Sequence, residues 1–167
     1  MKFTLLCLII SMSIGLFAQN KFDRQSTNGF AGVWELVAVK SIAIDSAISY
    51  PYGEHPRGSM LLAADGYYAV QIYGEGRTKI ISGNKNTATP DENTILVKKS
   101  NAHFGEYAVD PKDSLIIFKP TCAFFPNWEG QVLKQQYKLA NNILTYTSGV
   151  STFGAARSVV VWRKIKQ

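Results

Sequence analysis

Cysteine and histidine are scarce in this sequence, with two of each among 167 residues. Cys7 lies inside an apolar N-terminal run and departs with it on cleavage, so Cys122 is left alone and no internal disulfide can staple the fold. Cys122 lies between Pro120 and Phe124 and is expected to be a small buried hydrophobe. Nothing near it supplies the base or the positive field that a nucleophilic thiol needs. His55 and His103 are far apart in the chain, and with one mature cysteine they offer no metal-ligand spacing, so no metal is expected. There is no G-x-S-x-G elbow, no phosphate-cradling loop and no dinucleotide fingerprint, and hence no expected cofactor. Charge is sparse too, at 18% of residues, with a formal net charge of +6. Its cations are scattered (Lys79, Lys85, Lys98, Lys99, Lys134, Lys138, Arg163, Lys164, Lys166). A nucleic-acid interface would gather them with aromatics on one face, so this is a solvated surface and no nucleic-acid partner is expected. No internal repeat is present.

The longest apolar run is Phe3 to Phe17, behind Lys2 and ahead of Ala18, Gln19 and Asn20. It is about fifteen residues, where a membrane span needs about 20. This is the pattern of a secretory signal peptide cleaved after Ala18. The expected organisation is a signal peptide at 1–18, a polar leader at 19–28 and one domain at 29–167. The protein is expected to be exported, to the periplasm or the exterior, with no stable membrane span. The sequence leaves the oligomeric state open.

Beyond the leader the chain reads as β-structure. The stretch from Tyr50 to Gln71 reads as a rigid loop, a strand, a tight turn and a second strand. Pro51 and Pro56 bias the residues before them to extended conformations. Asp65-Gly66 is a strong hairpin signal. Tyr68, Val70 and Ile72 alternate with Tyr67, Ala69 and Gln71, as in a strand. Earlier, Gly32 to about Ile42 forms a long strand that is apolar on both faces: Trp34, Leu36 and Ala38 on one, Val33, Val37 and Val39 on the other. That pattern asks for a cover on the outer side. Thr89, Pro90 and Glu92 read as N-cap, first helical residue and third residue of a capping box, opening a helix of about ten residues. Further strands run near Ala102 to Asp110, Ser114 to Lys119, Gln131 to Leu139, Ile143 to Thr147 and Arg157 to Ile165. Asn141-Asn142 makes a tight turn, and Ser148 to Ala156 makes a loop of small residues. The total is eight strands with one inserted short helix. The fold class is all-β, an antiparallel sheet closed into a barrel.

Five local patterns carry a family resemblance: Gly32-x-Trp34, the YPxGExPxG loop from Tyr50, DGYxxxQ from Asp65, Phe125-Pro126-Asn127-Trp128-x-Gly130, and Val161-Trp162-Arg163. From about Gly29 to Lys164 the chain resembles the bacterial lipocalin-like domain family. The resemblance implies a small barrel in which Trp34 closes the floor and Gly32 opens the first strand. It also implies that Arg163, on the last strand, lies over the Trp34 indole. All three would be structural.

A barrel of about eight strands is either filled by side chains or holds one small ligand. The preferred expectation is a small apolar or amphipathic molecule in a cavity lined by Tyr68, Gln71, Phe104, Trp128 and Tyr137, with the Ser148 to Ala156 loop at its mouth. Two alternatives stand beside it: a filled barrel acting through its surface, and an isomerase or cyclase using the cavity. Catalytic candidates are His103, Glu106 and His55. Tyr50, Tyr52, Glu54, Arg57, Tyr107 and Arg157 are further polar candidates, of which Arg57 is expected to be structural, pairing with a carboxylate or bonding backbone. No pattern in the sequence assembles an active site, which weighs against catalysis.

Overall fold

The computed structural model describes Thr27, residues 29–149 and residues 151–165. The signal peptide and all of the polar leader but Thr27 therefore lie outside the described residues. The strands are β1 (Gly32–Ile42), β2 (Ile48–Ser49), β3 (Arg57–Leu62), β4 (Tyr67–Tyr73), β5 (Ser100–Asp110), β6 (Leu115–Ala123), β7 (Leu133–Ala140), β8 (Ile143–Ser148) and β9 (Arg157–Lys164). All pairings are antiparallel, and β1 pairs with both β3 and β9. Eight strands thus close into a barrel, with two-residue β2 as an extra strand beside the end of β1.

The chain crosses the barrel so that its two ends differ. Short turns at 63–66, 111–114 and 141–142 gather at one end, and the connections at 43–56, 74–99, 124–132 and 149–156 gather at the other. The short turns use residues suited to positive φ: Gly66 at 88°, Asn141 at 50° and Asn142 at 63°. Such angles match the twist of the flanking strands.

The first strand corrects one expectation. Its register shifts between Leu36 and Ala38. An extra residue in one strand reverses the alternation beyond it. Trp34 and Leu36 point inward below the shift, and Val39 and Ser41 are buried above it. The strand is apolar on both faces because its inward face changes phase midway, so no outer cover is needed. A second shift lies between Phe104 and Gly105, where Cys122 and then Pro120 stand opposite. Gly105 sits against the backbone of Lys119 and Thr121, leaving no space for a Cβ.

The short-turn end is packed solid. Trp34, Trp162, Met60, Tyr107, Phe118 and Leu144 are all wholly buried. The Trp34 indole N–H donates to the Phe30 carbonyl at 2.9 Å. Trp34 therefore closes the floor, but its cation is not Arg163. Lys164 stands opposite Trp34 in the β1–β9 register, with Nζ 5.3 Å from the ring centroid. Arg163, one residue earlier, falls on the other face opposite Glu35 and is exposed. Lys164 Nζ also donates to the Gly29 carbonyl at 2.8 Å. Gly32 is at φ 137°, with the Lys164 side chain against the position a Cβ would take. The glycine thus lets the lysine lie across the floor.

The inserted helix α1 spans Pro90–Lys98, with Thr89 as N-cap and the complete capping box formed with Glu92. Glu92 also accepts the Ile81 backbone N–H at 2.8 Å, so one carboxylate ties the preceding loop to the helix start. These bonds hold its carboxyl below the ordinary range. The helix buries none of its residues. It is an appendage of the open end and not part of the core. Cys122 is exposed on β6, against the expectation of burial. The β6 shift sets it on the outer side, beside Phe104.

Candidate functional site

The inner face changes character toward the open end. Above the floor, the inward positions are Ile72 on β4, Asn101 and His103 on β5, Gln135 on β7, Tyr146 on β8 and Ser158 on β9. With Tyr52 and Trp128 from the connections they border a cavity of about 70 Å³. That is room for a few waters or one small chemical group. Tyr52, Asn101, Thr152 and Phe153 also border a second space of about 510 Å³ outside this cup, walled by Val97, Phe124 and Phe125. The Tyr52 and Phe153 rings meet edge-on at 5.4 Å between the two spaces. A groove of this size is within the range of small-molecule sites.

His103 forms the bottom of the cup. Its Nδ1 is 2.8 Å from the Tyr68 hydroxyl. The rings of Tyr68, Phe118 and Trp128 surround it edge-on. Burial lowers its pKa to about 4, because the charged form loses hydration. Burial likewise pushes the Tyr68 hydroxyl well above its ordinary range and holds Tyr52 and Tyr146 at about 12. At neutral pH every titratable group named here is uncharged.

The structure sorts the expected ligand-binding residues by strand phase. Tyr68 is inside, beneath His103, and Trp128 is on the cup wall. Tyr137 faces inward but lies lower, edge-on to Phe30 at 5.0 Å, within the packed end. Gln71 and Phe104 lie outside. Gln71 is one residue out of phase with buried Val70 and Ile72, and Phe104 is one out of phase with His103. Neither reaches the cup. The catalytic candidates are equally dispersed. Glu106 is on the outer face between Tyr67 and Lys119. His55 lies in an open outer cleft with Arg57, Arg77 and Lys79. Of the three, His103 alone reaches the cavity. Tyr107 is structural, its hydroxyl donating to the Ala63 carbonyl at 2.9 Å. Tyr50, Glu54 and Arg157 are exposed. Sequence reasoning misses Asn101, Gln135, Tyr146 and Phe153, although inward phase on β5, β7 and β8 marks the first three.

Among the described residues no group of three or more His, Cys, Asp or Glu side chains could hold a metal, and no helix is long and apolar enough to cross a membrane.

A closed antiparallel barrel with a tryptophan floor, one inserted helix and a cup at the loop end defines a lipocalin-type architecture. A lipocalin-like domain model matches residues 31–165, and the chain belongs to that family. No curated protein matches its sequence. The family supports a ligand-binding barrel in general terms.

Proposed function

We propose that this chain is an exported barrel that holds a small amphipathic molecule at its open end. The observation that carries this reading is the pairing of the two spaces, a small cup inside with polar side chains set among apolar ones and a larger, mainly apolar groove outside, bordered in common by Tyr52, Asn101, Thr152 and Phe153. Val97, Phe124, Phe125 and Phe153 are large apolar residues left exposed around this mouth. Clustered exposure of this kind marks a binding surface more often than chance does. The packed floor excludes the deep, wholly apolar ligand that a hollow barrel would take. Export rests on the sequence of residues 1–18.

Catalysis is less well supported. The Tyr68–His103 pair has hydrogen-bond geometry, but burial keeps both groups uncharged at neutral pH, and the described residues lining the cup include no carboxylate. The surface-interaction reading keeps one observation in its favour. Register sets Leu61, Ala69, Phe104 and Cys122 side by side across β3 to β6 on the outer face, with Leu61 and Phe104 about half exposed.

The test is a titration of the purified protein with single-chain amphiphiles, followed by tryptophan emission and melting temperature. Trp34 and Trp162 are buried in the floor, so ligand-dependent quenching reports on Trp128. Binding should raise the melting temperature by mass action. Phe153→Ala should weaken it. Absence of binding across the series would leave the outer apolar row as the functional surface.

A further inference from the structure

The cup contains polar atoms without partners. Asn101 Oδ1 is buried with no partner among the described residues. Gln135 Oε1, on β7 with β6 between it and β5, is likewise buried and unpartnered. Both residues border the cup, and Asn101 is only 8% exposed. A buried acceptor left unpaired costs about 1–3 kcal/mol, so two in one cavity call for a donor between them. His103 borders the same cup, with Nδ1 2.8 Å from the Tyr68 hydroxyl, and the direction of that bond sets the imidazole tautomer. The cup thus holds two unpartnered acceptors beside the hydroxyls of Tyr146, Ser148, Thr152 and Ser158, and no carboxylate, lysine or arginine of the described residues lines it.

We infer that the cup takes an uncharged head group that donates hydrogen bonds, a hydroxyl or a carboxamide, while the apolar part of the same molecule lies in the groove outside. This rests on the amphiphile reading above and narrows it. A carboxamide matches best, since it brings two N–H donors for the two unpartnered acceptors, Asn101 Oδ1 and Gln135 Oε1. A carboxylate has no donor to give Asn101 Oδ1 or Gln135 Oε1. An ammonium would be desolvated with no anion to meet it. The rival arrangement is inverted, with a tail in the cup and an anionic head at the rim near Lys98, which borders the groove.

Four probes with one tail separate these cases: decanol, decanamide, decanoate and decylammonium, titrated at about pH 8, where the acid is ionised. Decanol and decanamide should bind about tenfold more tightly than either ion, the effect of one satisfied buried acceptor. Gln135→Leu and Asn101→Leu should each shrink that gap toward unity without weakening decanoate. Gln135 is the milder site and keeps the test usable if Asn101→Leu fails to fold. Decanoate binding best, with affinity lost in salt and in Lys98→Gln, would overturn the head-group assignment and leave the amphiphile reading intact. No binding by any probe would remove both.

Discussion

Tyr68 and His103 are joined by a 2.8 Å hydrogen bond where the packed half of the barrel meets its cup. The imidazole pKa falls from 6.5 to about 4 in the fold. Between these values the unfolded chain binds a proton that the native protein does not. Stability is therefore unaffected by this group above pH 6.5 and declines as pH falls through the window. Below about pH 4 the full loss remains, on the order of 3 kcal/mol. Urea midpoints measured from pH 7 down to pH 4 should show the decline, and His103→Gln should flatten it. An unchanged slope in the variant would place the titration elsewhere.

The floor makes a second prediction. Trp34→Ala should cost about 3–5 kcal/mol, combining lost burial with a cavity that the rigid barrel cannot close. Lys164→Ala should cost about 1 kcal/mol through the lost ring contact and the lost bond to Gly29. Arg163→Ala should stay within about 0.5 kcal/mol of the parent. Chemical denaturation of the three variants checks the order. Equal losses at 163 and 164 would contradict the register.

The capping box should matter locally. Thr89→Ala removes a cap worth about 1 kcal/mol to the helix. Because α1 buries no residue, the cap loss should fray residues 90–98 and leave the global melting temperature almost unmoved. Hydrogen exchange at these amides should accelerate while core β-strand amides keep their protection. Uniform loss of protection would show that α1 is part of the cooperative unit.

Gly105 should tolerate no side chain. A Cβ there meets the Lys119 carbonyl and the Thr121 amide at the irregularity in β6. Gly105→Ala should cost about 1–3 kcal/mol or more, since backbone rather than a flexible side chain must yield. The same change at Gly76, which has nothing within 4 Å, meets only the strain of its φ of 74°. Comparing the two separates crowding from conformation.

Cys122 should react with a maleimide in the native state as fast as in denaturant, within a few-fold, because it is exposed. Slow native labelling would mean that something covers the outer face of β5 and β6.

The barrel itself was legible in the sequence because its signals are local. Asp65-Gly66, Asn141-Asn142 and the Thr89-Pro90-Glu92 cap each specify a turn or a helix start within a few residues. The site was harder to read because its inward face mixes polar with apolar side chains. Apolar character marks the inside at Val70 and Tyr107, but near the mouth the inside holds Asn101, His103 and Gln135, while Phe104 faces out. Choosing wall residues by aromatic character therefore favours Phe104 over its inward neighbour. Strict alternation from Tyr68 excludes Gln71 without any structure. The phase change in β1 and the choice of Lys164 over Arg163 were not legible, since both depend on pairing between strands far apart in sequence.

Both ends of the described chain meet beneath the floor: Lys164 bonds to Gly29, and the Ile165 N–H donates to Val33. A support attached through either terminus would therefore hold the molecule upright, with its mouth turned toward the bulk solution. Captured that way on a sensor chip, the protein would keep its entrance free, and the same orientation would suit a tether at either end.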